Sequence, residues 1–124
     1  MAKNEVTIEK KEKGEIVESL LTPGHKACTG CGLALAARTV MNTAGKDIIV
    51  TAATGCLEVF STSYPHSAWK MPWIHSAFEN AGATIGGIEA MYRSLKKQGK
   101  VKDDIRFIAW GGDGGTYDIG LQAL

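Results

Sequence analysis

Three cysteines and one carboxylate set among glycines are the residues of this chain whose types and spacing could do chemistry. Cys28-Thr29-Gly30-Cys31-Gly32 places two thiols in one glycine-bearing loop, and a third sulfur follows at Cys56. Such a loop can wrap sulfur ligands around a metal or an iron–sulfur cluster, but a CxxC by itself fits a redox dithiol or half of a zinc site equally well. Cys56 weighs against those two: a redox dithiol leaves it without a role, and a zinc knuckle normally brings a second close pair. Near the other end, Gly112-Asp113-Gly114-Gly115 directly follows the apolar run Ile105-Arg106-Phe107-Ile108-Ala109-Trp110. Glycines let backbone N–H groups approach phosphate oxygens without Cβ obstruction, and the carboxylate of Asp113 can hold a divalent cation that bridges those oxygens. Gly-Asp-Gly alone is a common turn. The strand before it and a helix expected over 117–124 make it a candidate clamp for a diphosphate and its metal.

Those groups need elements to position them. Thr22-Pro23-Gly24 is a turn signal, 33–41 reads as a buried helix of good helix formers, and Gly45 stops it. Residues 47–53 are β-branched and apolar, which predicts a central strand ending at Thr54-Gly55-Cys56, the end at which open α/β sheets carry ligands. Residues 57–76 mix aromatic, Pro, Ser and His residues without a sustained period and are expected to form an ordered loop over a site. From 78 to 97 a helical pattern returns, with Ala81, Ile85, Ile88, Tyr92 and Leu95 on one stripe and Lys96, Lys97 and Lys100 at the C-terminal end. Gly82, Gly86 and Gly87 would each cost about 0.8–1.0 kcal/mol relative to Ala in that helix, which suggests close approach of another backbone or a cofactor. Residues 105–110 read as a buried parallel strand. The element order is that of an α/β layered fold with a mostly parallel sheet.

Composition bounds what these sites can serve. The chain has 124 residues, 44% of them apolar, with 14 basic and 13 acidic side chains, enough for one modest globular domain. Near-balanced charge argues against a nucleic-acid partner, and no apolar stretch approaches the roughly 20 residues of a membrane span. The N-terminus lacks a basic segment followed by an apolar one, and an odd number of cysteines cannot close into disulfides alone, so reduced thiols in a cytoplasmic setting are expected. Residues 1–21 hold nine charged side chains against eight in residues 22–92, which predicts a charged N-terminal arm over 1–21 and a domain over 22–124.

Four stretches carry a family resemblance: Gly24-His25-Lys26-Ala27-Cys28-Thr29-Gly30-Cys31-Gly32, Thr54-Gly55-Cys56-Leu57-Glu58, Pro72-Trp73-Ile74-His75-Ser76-Ala77-Phe78-Glu79-Asn80-Ala81, and Gly112-Asp113-Gly114 running into Tyr117-Asp118-Ile119-Gly120. Together they resemble the β subunit of pyruvate:ferredoxin oxidoreductases, within the wider 2-oxoacid:ferredoxin oxidoreductase family, and the corner at Gly112 is similar to the opening of the thiamin diphosphate-binding motif. The likeness covers nearly all of residues 22–124. It implies a three-layer thiamin diphosphate-binding fold in which Cys28, Cys31 and Cys56 hold a [4Fe–4S] cluster. By the same resemblance Asp113 ligates Mg2+, and Gly112, Gly114 and Gly115 line the diphosphate. The implied reaction is oxidative decarboxylation of pyruvate to acetyl-CoA and CO2, with coenzyme A as co-substrate and ferredoxin as electron acceptor. It would take place in a hetero-oligomer whose other subunits supply the glutamate that activates the cofactor. A different 2-oxoacid is the alternative substrate. A zinc or redox cysteine module and a thiamin-dependent decarboxylase without a cluster are the rival classes.

Two departures from the family pattern stand out. The family often has a glutamate directly after the cysteine loop, where this chain has Leu33. Its fourth cluster cysteine and the asparagines that close its cofactor motif are expected beyond Leu124, which makes this chain the N-terminal part of a longer subunit and marginally stable alone. No catalytic residue is assigned. His25 and His75 flank the motifs but read more simply as hydrogen-bonded structural residues, and Glu58 and Glu79 as caps or salt-bridge partners. Trp69, Trp73 and Tyr64 read equally as a lid over the site or as ordinary core aromatics.

Overall fold

A computed structural model of the chain describes residues 18–124; residues 1–17, most of the arm expected over 1–21, lie outside the described residues. Within the remainder of that arm, Leu20 and Leu21 are buried, and Leu21 bridges to Trp69. Helix α1 (Gly32–Ala44) starts from Cys31 and ends as expected at Gly45. There φ is 82°, a left-handed conformation that favours glycine, and the Gly45 N–H donates to the Met41 carbonyl at 3.0 Å. Ala34, Ala37 and Met41 form the buried stripe of α1, whereas Leu33, Leu35 and Val40 are exposed. The helix expected to be buried is therefore amphipathic.

Strand β1 (Ile48–Ala53) is the centre of a three-stranded, all-parallel sheet in the order β2-β1-β3, with β2 at Trp73–Ser76 and β3 at Arg106–Trp110. Its register sets Ala53 opposite Ser76 and Ala52 opposite Trp110. Five of its six residues are buried, the reason it reads as one continuous apolar run. Strand β3 was expected to be buried but lies at an edge, with Arg106 and Ala109 exposed, because β1 covers only one of its sides among the described residues.

Residues 57–76 are not a loop over the site. They contain most of the short helix α2 (Cys56–Ser61) and all of β2, and Leu57, Phe60, Ala68, Trp69 and Met71 join the core. A six-residue helix and a four-residue edge strand are too short to establish a period in the sequence. Trp69 is a core aromatic rather than a lid: its indole N–H donates to Ser61 Oγ at 2.8 Å, and it stacks on the half-buried Trp73 at 5.8 Å. Tyr64 is exposed.

Helix α3 (Ala81–Lys97) carries the chain from β2 to β3 and packs on both β1 and β3 with the expected stripe. Thr51 Oγ1 donates to the Ala81 carbonyl at 2.9 Å, fixing the start of α3 over the middle of the sheet. Gly82 does admit another backbone, since a Cβ there would lie 3.0 Å from the Ala123 carbonyl oxygen; Gly86 and Gly87 face open space. The helix expected over 117–124 begins and ends earlier, as α4 (Asp113–Tyr117), followed by a separate 3-10 turn at Leu121–Ala123. Buried Gly120, packed against the Gly115 carbonyl, and non-helical Asp118 force the break.

Candidate functional site

The chain leaves β1 towards β2 on one side of the sheet, and α3 returns it to β3 on the other. The C-terminal ends of β1 and β3 therefore border the point where strand order reverses, the place where open α/β sheets hold ligands. A cavity of about 100 Å³ lies there, lined by Leu33 from the start of α1, Thr54, Gly55 and Cys56 after β1, Trp110 at the end of β3 and Gly112 after it. The fold thus gathers the ends of three sequence motifs into one crevice: the residue after the cysteine loop, the Thr54-Gly55-Cys56 turn and the glycine corner.

The glycines of the corner differ in what they touch. Gly112, the residue before α4, has nothing within 4 Å of where a Cβ would stand. Gly114 and Gly115 are packed from behind: a Cβ on Gly114 would come within 2.5 Å of the Phe78 ring, and one on Gly115 within 2.8 Å of the Phe78 carbonyl oxygen. Asp113 is exposed at the first position of α4 and forms no salt bridge among the described residues. The Trp110 indole N–H is buried with no hydrogen-bond partner, an orphan donor on a residue that borders the crevice. Beside the crevice, Thr54 Oγ1 meets His75 Nε2 at 2.7 Å and donates to the Ser76 carbonyl at 3.3 Å, while Ser76 Oγ and Thr84 Oγ1 lie 2.7 Å apart. His75 thus has a structural hydrogen bond, and His25 likewise accepts from the Ala27 N–H at 3.4 Å.

The cysteines divide between two places. Cys28 and Cys31 line a cavity of about 300 Å³ together with His25, Ala34, Leu35 and Arg38, whereas Cys56 lines the crevice. The Cys31 N–H donates to the Cys28 carbonyl at 3.0 Å, closing the loop, and Gly30 supplies the left-handed residue it requires at φ 74°. All three thiols are free, with Cys28 and Cys56 exposed and Cys31 half-buried. Among the described residues no three His, Cys, Asp or Glu side chains come together to hold a metal ion, so the three-cysteine set is not assembled in this conformation. Glu58 accepts from the hydroxyl of Thr62, the residue after α2, through its carbonyl at 2.7 Å and its carboxylate at 3.3 Å; it neither caps the helix nor forms a salt bridge among the described residues. Sequence reasoning passed over Arg38 and Trp110. Arg38 carried a signal: it is an isolated cation in a charge-poor span, seven residues beyond Cys31.

No protein-family model matches the chain. It is 59% identical over 109 residues to the pyruvate synthase subunit PorB of Methanocaldococcus jannaschii, a match covering 86% of this chain and 37% of that subunit. It is 50% identical over 107 residues to PorB of Methanothermobacter thermautotrophicus, covering 86% and 35%. The ketoisovalerate oxidoreductase subunit VorB of Pyrococcus abyssi is 44% identical over 101 residues, covering 82% and 32%. The chain is thus homologous to 2-oxoacid oxidoreductase subunits over most of its own length and spans about a third of the curated relatives it matches.

Proposed function

We propose that this chain forms the part of a pyruvate synthase subunit that clamps thiamin diphosphate and carries cluster ligands. The whole enzyme would be a hetero-oligomer converting pyruvate and coenzyme A to acetyl-CoA and CO2 with reduction of ferredoxin. One observation carries the reading: Cys56 and Gly112 border the same crevice at the strand ends where an α/β sheet receives its ligand. The donor set suits the groups implied. Gly112 offers an unobstructed backbone at the corner, Asp113 beside it is a hard oxygen ligand suited to Mg2+, and the three free thiols are of a type that binds iron, although Cys56 stands apart from Cys28 and Cys31 in this conformation. Gly114 and Gly115 keep the turn tight against Phe78, which holds the corner in place for the diphosphate.

When bound, thiamin diphosphate supplies an electron sink for the carbanion left by decarboxylation, and an adjacent cluster accepts electrons. The residues of this chain bind and orient. Leu33 gives the crevice an apolar wall where the family often has a carboxylate, and the Trp110 N–H is a donor still to be satisfied. Pyruvate is favoured over a branched 2-oxoacid because both PorB relatives exceed the VorB relative in identity.

The test is a pyruvate-dependent ferredoxin reduction assay on the intact complex, prepared without oxygen and analysed for metal. The reading predicts activity that needs thiamin diphosphate and coenzyme A, with iron bound to this subunit. Zinc in place of iron, or decarboxylation that never reduces ferredoxin, would contradict it.

A further inference from the structure

A further cavity, of about 310 Å³, lies between the turn at residues 22–26 and the stretch 60–68, which closes α2 and continues past it. It shares no lining residue with the crevice at the strand ends. Its two walls are tied to each other at both ends: the Thr22 N–H donates to the Ala68 carbonyl at 2.8 Å, and the Lys26 N–H donates to the Phe60 carbonyl at 3.0 Å. The second wall is braced by its own turn, with the His66 N–H donating to the Ser63 carbonyl at 2.7 Å. The cavity therefore has a fixed frame.

Its lining offers donors and no carboxylate. His25, Lys26, Ser63 and His66 border it, and no Asp or Glu does. Lys26 and His66 form no salt bridge among the described residues. His25 is oriented: its ring lies 5.3 Å from that of Phe60, and its Nδ1 accepts from the Ala27 N–H at 3.4 Å. A neutral imidazole that accepts at Nδ1 carries its proton on Nε2, so the other ring nitrogen of His25 is a donor. An ammonium, an imidazole N–H and a hydroxyl around one cavity suit an anion with several acceptor oxygens, and a phosphate group presents three. Lysine serves such a group as a point charge.

We propose that this cavity is a binding site for a phosphate group, held by His25, Lys26 and His66. It is separate from the glycine corner and does not depend on the cofactor assigned there. Free phosphate and a phosphorylated nucleotide share the recognised chemistry, and the test distinguishes them.

The experiment titrates inorganic phosphate and, separately, AMP into the intact complex by calorimetry, at constant ionic strength and with Mg2+ and thiamin diphosphate saturating. The wild-type subunit is compared with Lys26→Gln, His66→Gln and Lys26→Arg; both residues are exposed, so the fold should survive, and unfolding midpoints check that it does. The expected result is saturable phosphate binding in the wild type, weakened about tenfold or more in Lys26→Gln and His66→Gln and largely kept in Lys26→Arg, with midpoints unchanged. Tighter binding of AMP than of phosphate would assign the site to a phosphorylated nucleotide, and equal or weaker binding to free phosphate. No saturable binding of either probe to the wild type would overturn the proposal, and so would affinity unchanged in both Gln variants, which would put the anion elsewhere.

Discussion

The two ends of the parallel sheet differ in how their charged groups are paired. At the end where the strands begin, partners are close at hand. Lys96 at the close of α3 bonds to Asp104 and, at 3.2 Å, to the Tyr92 hydroxyl; Tyr92 in turn donates to the Asp103 carbonyl. Arg106 donates to the Ala44 carbonyl at 3.0 Å. At the end where the strands finish, Cys28, Cys31, Cys56 and Asp113 stand without ionic partners among the described residues, and Trp110 holds a buried orphan donor; two more lie on Arg38, midway along α1, and on Trp73, the first residue of β2. The contrast is one of charged groups and thiols rather than of every polar group, since Thr54, His75, Ser76 and Thr84 are hydrogen-bonded at the finishing end. Substitutions of the exposed thiols and of Asp113 at the finishing end should therefore alter ligands more than stability.

The largest effect is expected from the thiols. Cys28→Ser, Cys31→Ser or Cys56→Ser in the intact enzyme should each strip or disrupt the iron, since a serine oxygen is a harder and less readily deprotonated ligand. Ferredoxin reduction should fail while the unfolding midpoint barely moves. Iron analysis with EPR decides this, and full iron content with an unaltered spectrum in Cys56→Ser would remove Cys56 from the ligand set.

The glycine corner gives a sharper contrast, because neighbouring glycines should behave differently. Gly115→Ala drives a methyl into the Phe78 carbonyl, a backbone atom that cannot swing aside, and should cost about 1–3 kcal/mol in the full-length subunit. Gly112→Ala meets nothing in the protein and should leave stability nearly unchanged while weakening thiamin diphosphate binding. Denaturant titration and calorimetry on the two variants separate the roles; equal stability losses would break the distinction.

Within the core, Ser61→Ala should cost about 1–3 kcal/mol, because it leaves the buried Trp69 indole N–H without its acceptor. Cofactor affinity should not change, which thermal unfolding and a binding titration together would show.

The smallest effect belongs to the starting end. The hydrogen bond and charge of Lys96 hold the Asp104 carboxyl below its ordinary value of 3.8, and Lys70, then Lys46, do the same for Glu18 from 4.5. Both groups are depressed in the folded state, so their contribution is present above those ordinary values and lost as pH falls through the lower folded ones. Lys96 is raised above 10.5, so its contribution is lost only as pH climbs past that raised value. All three groups are exposed, and solvent screening keeps the gain slight. Asp104→Asn should lower the unfolding midpoint marginally at neutral pH, and the difference from wild type should vanish in acid.

How much of this was legible follows from element length and packing. The 17-residue α3 shows several turns of periodicity and β1 is buried on both faces, so both read directly from sequence, whereas the 13-residue α1 was legible as a helix from its helix formers but not as an amphipathic one. The six-residue α2 and four-residue β2 never complete a pattern, and the break after Tyr117 depends on Gly120 meeting Gly115, a contact between residues that no periodicity reveals. The motif residues were visible as motifs, but only the fold brings Leu33, Cys56 and Gly112 to one crevice. The orphan donors of Arg38 and Trp110 are properties of packing and had no signature beyond an isolated charge.

The central claim is that the open end of the sheet clamps thiamin diphosphate through Asp113. It is tested most directly by calorimetric titration of thiamin diphosphate, with and without Mg2+, into the cofactor-depleted intact enzyme carrying either the wild-type subunit or Asp113→Ala. The account predicts Mg2+-dependent binding in the wild type and its loss in the variant, with iron content and unfolding midpoint unchanged. Unaltered affinity in Asp113→Ala would contradict it.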